Sequence, residues 1–142
     1  MKVFLDANVL VAILNKEYPV FSYAARILSL ADNPNFTVYT SPVCLAIAYY
    51  FAEKKTSAKV AKNKINLLLQ HILIAENSKL SVIKTLENKK ILDFEDGLEY
   101  YAAVENKCQC IVTENLKDFH FSEIEVINCE DFAVKYFIKH TI

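Results

Sequence analysis

Asp6 is the first residue whose type and position suggest chemistry. It follows the apolar run KVFL and precedes Ala7 and Asn8, which puts a carboxylate at the tip of a strand that belongs in a core. Aspartate is also a favoured helix N-cap, and the two roles are compatible. A second acidic group lies in LDFEDGLEYYAAVE, where Asp93, Glu95, Asp96 and Glu99 crowd the first turns of an expected helix. The helix dipole stabilises carboxylates there, so the crowding alone requires no ligand. Gly97, the only glycine in the chain, resists that account. Glycine inside a helix costs about 1 kcal/mol relative to alanine, and a close neighbour or a ligand beside Asp96 would explain it. The third group is TENLKDF, which leaves the apolar run CIV with Thr113, Asn115 and Asp118 in a polar loop and Phe119 to anchor it.

These three groups need elements to hold them together. KVFL reads as a buried parallel strand, followed by a helix over residues 8–15 and a second over Tyr18 to Ala31, with Phe21, Ala24, Ala25 and Leu28 on one face. FTVY is the next strand. Ser41 is the expected N-cap of a helix that carries Pro42 in its first turn and runs through LAIAYYFAEKK. A helix from Thr56 to about His71 turns Val60, Ile65, Leu68 and Leu69 inward, and a short strand follows at Ile72 to Ala75. Ser78 caps a helix through Leu86, and Asp93 caps the one after it. CIVT and EVI are the last strands. Strands alternating with helices in this order predict a three-layer α/β/α sandwich around a central, mainly parallel sheet of about five strands. Ligands of such sheets sit at the carboxyl ends of strands, which is where Asp6, Ser41 and the residues from Thr113 to Asp118 fall.

Bulk properties narrow the class. The chain has 142 residues, 54% of them hydrophobic, which suits one globular domain spanning 1–142. No apolar run approaches the roughly 18 residues that a bilayer demands, and no signal peptide is apparent, so a cytoplasmic location is expected. The four cysteines lack paired spacing and read as buried thiols. A formal net charge of -1 offers no whole-molecule attraction for polyanions, so nucleic acid must be met by a local patch. The row Lys54, Lys55, Lys59, Lys62 and Lys64 is the densest basic stretch; Lys55, Lys59 and Lys62 could track phosphates, or simply solvate a helix face. Tyr49 and Tyr50, at helical spacing among Leu45, Ile47 and Phe51, suit a core or an interface better than base stacking. His71, His120 and His140 show no metal-ligand spacing.

Taken together, VFLDANVL, DFEDGLEYYAAVE and TENLKDF resemble the PIN (PilT N-terminus) domain family over nearly the whole chain. The resemblance implies a ribonuclease that holds one or two Mg²⁺ or Mn²⁺ ions on three or four acidic residues, of the kind found as toxins of bacterial toxin–antitoxin pairs. It assigns Asp6, Asp96 and the Asn115/Asp118 element to the family's first, third and fourth metal-site positions, and Thr113 to its hydroxyl residue. It implies direct ion ligation by Asp6 and Asp96, a role for Asp118 or Asn115 in binding the ion or water, and a role for Thr113 in orienting a carboxylate. The ion would activate water for in-line attack on phosphate. An antitoxin partner and a homodimer, with the helix around Tyr49 to Phe51 as interface, are further implications. The family's second acid, in the helix after the second strand, is absent: SPVCLAIAYYF places Ile47 or a neighbour there, and Glu53 lies about two turns further on. Glu95 and Glu99 are candidate substitutes, although helical geometry points them to faces different from that of Asp96.

The missing acid leaves open a PIN domain that binds RNA or a protein partner without hydrolysis. Other α/β classes fail on residues. A haloacid-dehalogenase-type phosphohydrolase needs a second aspartate at position 8, which is Asn8; a receiver domain needs an N-terminal acidic pair; and one glycine cannot form a phosphate-cradling loop.

Overall fold

The computed structural model describes residues 1–137, so His140 lies outside the described residues. Five parallel strands form one sheet in the order β3-β2-β1-β4-β5, with β1 Lys2–Leu5, β2 Thr37–Thr40, β3 Leu73–Ile74, β4 Cys110–Val112 and β5 Glu125–Ile127. The central strands carry apolar residues on both faces: Val3, Phe4, Leu5, Cys110, Ile111 and Val112 are all fully buried. That pattern requires cover on both sides of the sheet. It comes from α1 Ala7–Leu14, which packs on both α2 Val20–Ser29 and α3 Pro42–Lys55, from α4 Ala58–Leu68, which packs on α3, and from the separate pair α5 Lys79–Glu87 and α6 Phe94–Glu105. Right-handed crossovers place the first four helices on one face and the pair on the other. A short helix α7, Cys129–Phe132, packs against α2.

Chain direction along the sheet reverses at β1. The chain leaves β1 toward β2 on one side and returns to β4 on the other, so a crevice opens at the carboxyl ends of these two strands. Register then fixes what meets there. Leu5 pairs with Val112, and the Asp6 amide donates to the Val112 carbonyl at 3.0 Å, which sets Asp6 beside Thr113.

Local signals account for most helix starts. Asp6, Ser41, Ser57, Ser78 and Asp93 all cap through their side chains, and Pro42 occupies the first turn of α3. The expected helix over Tyr18 to Ala31 is shorter, its two ends being a turn and a 3₁₀ segment. The helix expected to reach His71 ends at Leu68. Its inward face is Ala61 and Leu68, with Lys64 and Ile65 half-buried, while Val60 and Leu69 are 38% and 40% exposed. Burial thus follows the small Ala61, on which α3 closes, and Val60 and Leu69 are displaced to the flanks.

Gly97 has a packing explanation. A Cβ at this position would lie 2.4 Å from Thr85 Cγ2 and 2.9 Å from Ile91 Cγ2. Thr85 cannot swing aside cheaply, because its side chain is β-branched and its hydroxyl donates to the Ser81 carbonyl at 2.9 Å. The glycine lets α6 press against α5. Overpacking of this kind costs about 1–3 kcal/mol, which outweighs a gain of about 1 kcal/mol in helix propensity. Gly97→Ala is therefore expected to lower the urea midpoint without changing the slope of the transition; an unchanged or raised midpoint would contradict the close approach.

Candidate functional site

Asp6 is 6% exposed and both of its oxygens are engaged. Oδ1 accepts the Ala7 amide at 2.6 Å; Oδ2 accepts the Thr113 hydroxyl at 2.7 Å and the Asn8 side-chain amide at 3.3 Å. Thr113, fully buried, also accepts from the Asn8 side chain at 3.1 Å and from the Asn115 amide at 3.0 Å. Asn8 in turn accepts the Glu114 amide at 3.1 Å. These bonds tie the start of α1 to the loop after β4, so the Asp6 carboxylate is oriented by groups from two strand ends. Asp6 is both a helix cap and the inner member of the site.

The crevice above it has a volume of about 440 Å³ and is lined by Asp6, Ala7, Asn8, Val11, Glu17, Ile47, Phe51, Glu95, Asp96, Glu99, Asn115 and Asp118. Six of these carry carboxyl groups, and none of the lining residues is Lys, Arg or His. Two carboxylates about 4 Å apart repel by about 4 kcal/mol at an effective dielectric of about 20, so a crevice of this composition stores repulsion that a cation relieves. The protonation states register it. Burial, then the charges of Asp93, Asp118, Asp6 and Glu95, push Asp96 up to about 7. Burial, then the Asp6 carboxylate, push Glu99 up to about 11. Cys44, fully buried, has its thiol 4.0 Å from Asp6 Oδ1, and burial followed by Glu99 and Asp6 raises it well above the usual thiol range.

Of the residues singled out from sequence, Asp6, Asn8, Glu95, Asp96, Glu99, Asn115 and Asp118 line the crevice, with Thr113 directly beneath. Asp93 does not: it is an exposed cap that accepts the Asp96 amide at 3.2 Å. Ser41 is buried as the cap of α3, accepting the Cys44 amide at 3.2 Å. Glu53, exposed, accepts a hydrogen bond from the Tyr49 hydroxyl at 2.8 Å and is not among the residues lining the crevice. The expectation that Glu95 and Glu99 point to faces different from that of Asp96 is corrected. The crevice wraps around the amino-terminal end of α6, so residues that splay about the helix axis share one space. Lys55 donates to the Asn15 carbonyl at 2.5 Å and Lys64 to the Leu14 carbonyl at 2.7 Å, where they satisfy the carboxyl end of α1. Lys59 and Lys62 remain exposed on α4. His71 lies 3.9 Å from Asp32, and His120 stacks edge-on against Phe121.

Sequence reasoning missed Glu17 and Cys44. Glu17 reaches the crevice because Lys16 adopts a left-handed conformation (φ 51°) that folds the chain back, with the Glu17 amide on the Ala12 carbonyl at 3.0 Å. A lysine at such a turn carries no glycine signal. Cys44 read as a core thiol, and its burial agrees; what sequence lacked was its neighbour.

An α/β fold with a parallel sheet, a topological switch beside β1 and a carboxylate-lined crevice at that switch defines the structural class. The chain belongs to the PIN domain family, which it matches over residues 2–117. It is 29% identical over 139 residues to Ribonuclease VapC1 of Aquifex aeolicus, an alignment that covers 95% of each protein. Among solved structures, VapBC2 from Rickettsia felis, bound to a DNA fragment from the promoter, is similar with a TM-score of 0.71 at 24% identity, covering 90% of this chain and 98% of that one. VapC20 of Mycobacterium tuberculosis, described as a Sarcin-Ricin loop cleaving toxin, is similar with a TM-score of 0.60 at 14% identity, covering 77% and 86%. Among the described residues, no helix is long and apolar enough to cross a membrane.

The acidic crevice links stability to pH. Asp96 and Glu99 are raised above their ordinary values of 3.8 and 4.5, so their contribution is full below those values and is lost as pH rises toward about 7 and about 11. Glu125, lowered by Lys135 and Tyr136 despite its burial, acts in the opposite sense only in the acid range, as pH falls through its folded value. The metal-free protein is therefore expected to melt at a higher temperature at pH 6 than at pH 9. A melting temperature that rises over this interval would contradict the crowding.

Proposed function

We propose that the chain is a divalent-metal-dependent endoribonuclease and the toxin member of a toxin–antitoxin pair. The observation that carries this reading is the crevice itself: among the described residues, six carboxyl groups and no cationic side chain line the switch point of a PIN-family sheet. The relatives support it, being a ribonuclease by name and, in the solved structures, a VapBC assembly and a Sarcin-Ricin loop cleaving toxin.

The residues present suit a hard cation. Asp6, Asp96 and Asp118 offer carboxylate oxygens, and a crevice of about 440 Å³ admits a phosphate group beside a bound ion. Oxygen donors select Mg²⁺ or Mn²⁺. When bound, the ion supplies a lowered water pKa and a counter-charge for the phosphate. Thr113 and Asn8 hold the Asp6 carboxylate in one orientation, and Asn115, its amide fixed on the Thr113 hydroxyl, presents a neutral side chain able to position water or substrate. Lys59 and Lys62 lie on α4, outside the crevice, and are assigned at most a peripheral role in tracking RNA. Two copies are proposed to associate through α3, where Tyr50 and Phe51 are 57% and 44% exposed. Small-angle scattering should then give a dimer-sized particle, and a monomer at high micromolar concentration would contradict that assignment.

A second reading is favoured by one observation. Ile47 gives the crevice an apolar side-chain wall on α3, in keeping with a domain that binds RNA or a protein without cutting. The two are separated by incubating the purified protein with RNA and Mn²⁺. Cleavage is expected, and Asp6→Asn and Asp96→Asn are each expected to abolish it. RNA that is retained but intact would favour the binding module, and variants that cut as well as the wild type would place the chemistry elsewhere.

A further inference from the structure

The metal reading above leaves Glu99 unassigned, yet this side chain has the most unusual surroundings in the crevice. It is 2% exposed and its Oε2 has no hydrogen-bond partner among the described residues. An ionisable group in that position costs more than an apolar one of the same shape, unless something satisfies it. Its neighbours are the Asp6 carboxylate and the Cys44 thiol: ligand atoms of Asp6, Cys44 and Glu99 all lie within 4.8 Å of one another. Among the described residues, no donor reaches the open oxygen. On the α3 side the crevice is lined by Ile47 and Phe51, neither of which offers a ligand atom.

We propose that Glu99 is a direct ligand of the divalent cation, which sits deep between Asp6 and Glu99 and thereby obtains from α6 the carboxylate that α3 does not provide. Placing the cation there satisfies the open Oε2, neutralises Asp6 and Glu99 together, and leaves Asp96 and Asp118 on the outer side to reach the ion directly or through a bound water. Glu99 lies one turn after Asp96 on α6, so a single rigid element carries both the inner and outer acids.

The bland alternative is a carboxyl–carboxylate pair that shares a proton for structural reasons, and Glu99→Gln separates the two. Glutamine keeps a neutral group of the same shape with N–H donors for Asp6, so a proton-sharing role survives the change while an ion-binding role does not. Calorimetric titration with Mn²⁺ alone and the rise in melting temperature on adding Mn²⁺ are the two readouts. For Glu99→Gln the metal-free melting temperature is expected to equal or exceed that of the wild type, the Mn²⁺-induced rise to disappear, and Mn²⁺ affinity to fall at least tenfold. An affinity within twofold of the wild type overturns the assignment. Should Glu99→Gln fail to fold, Glu99→Asp keeps the charge but withdraws the carboxylate by one methylene. A tenfold loss is expected for it too, and unchanged affinity again overturns the proposal. This inference rests on the metal reading, and the two fail differently: a wild type that takes up no Mn²⁺ removes the metal reading, whereas normal uptake by both variants removes only Glu99.

Discussion

Like charges gathered around one small space are the constraint on which this structure depends. Asp6, Glu17, Glu95, Asp96, Glu99 and Asp118 come from three separate regions of the chain, and among the described residues no lysine, arginine or histidine lines the crevice they share. Nothing in a folding chain gathers carboxylates spontaneously; packing elsewhere must hold them there. The sheet does so by burying Phe4, Leu5, Ile111 and Val112 completely, which locks β1 to β4 in the register that sets Asp6 beside Thr113. The α5–α6 contact at Gly97 does so on the other side, fixing the helix that carries Glu95, Asp96 and Glu99. Repulsion is then expressed in raised proton affinities rather than in an open site.

Much of this arrangement was legible in the sequence because its key residues stand at element boundaries. Asp6 ends an apolar strand, Asp93 to Asp96 open a helix, and Thr113 to Asp118 leave a strand; each boundary has a local signature in residue type. Alternation of strands and helices gave the parallel sheet and so the edge at which these boundaries meet. What was illegible depends on distance in space. The turn at Lys16 that delivers Glu17 contains no glycine, and the meeting of Cys44 with Asp6 depends on how α3 crosses the end of β1. Glu99 was visible as an acid but not as a buried one. A helical wheel treats a helix as a cylinder with faces, whereas this crevice wraps around the end of α6. The same limit applies to Val60 and Leu69, apolar residues whose exposure follows from where α4 meets α3 rather than from periodicity.

Gly97 illustrates how a feature read correctly as unusual acquires its cause only from the fold. Its oddity in a helix beside Asp96 suggested either a ligand or a neighbour, and the neighbour is Thr85. The glycine therefore serves the site indirectly, by letting α6 approach α5. Ile47 and Glu99 form a complementary case. Apolar residues line the crevice from α3 while a buried acid with an open oxygen enters from α6, so, of these two helices, the acids that face this space come from α6 and not from α3.

The central claim is that the crowded carboxylates exist to hold a divalent cation, and it is tested most directly by a crystal structure determined after soaking in Mn²⁺, with anomalous diffraction used to locate the ion. An anomalous peak within coordination distance of the Asp6 carboxylate, inside the crevice formed with Asp96, Glu99 and Asp118, is the predicted result. A crevice with no peak at saturating Mn²⁺, or with a peak only on the outer surface, would contradict the account.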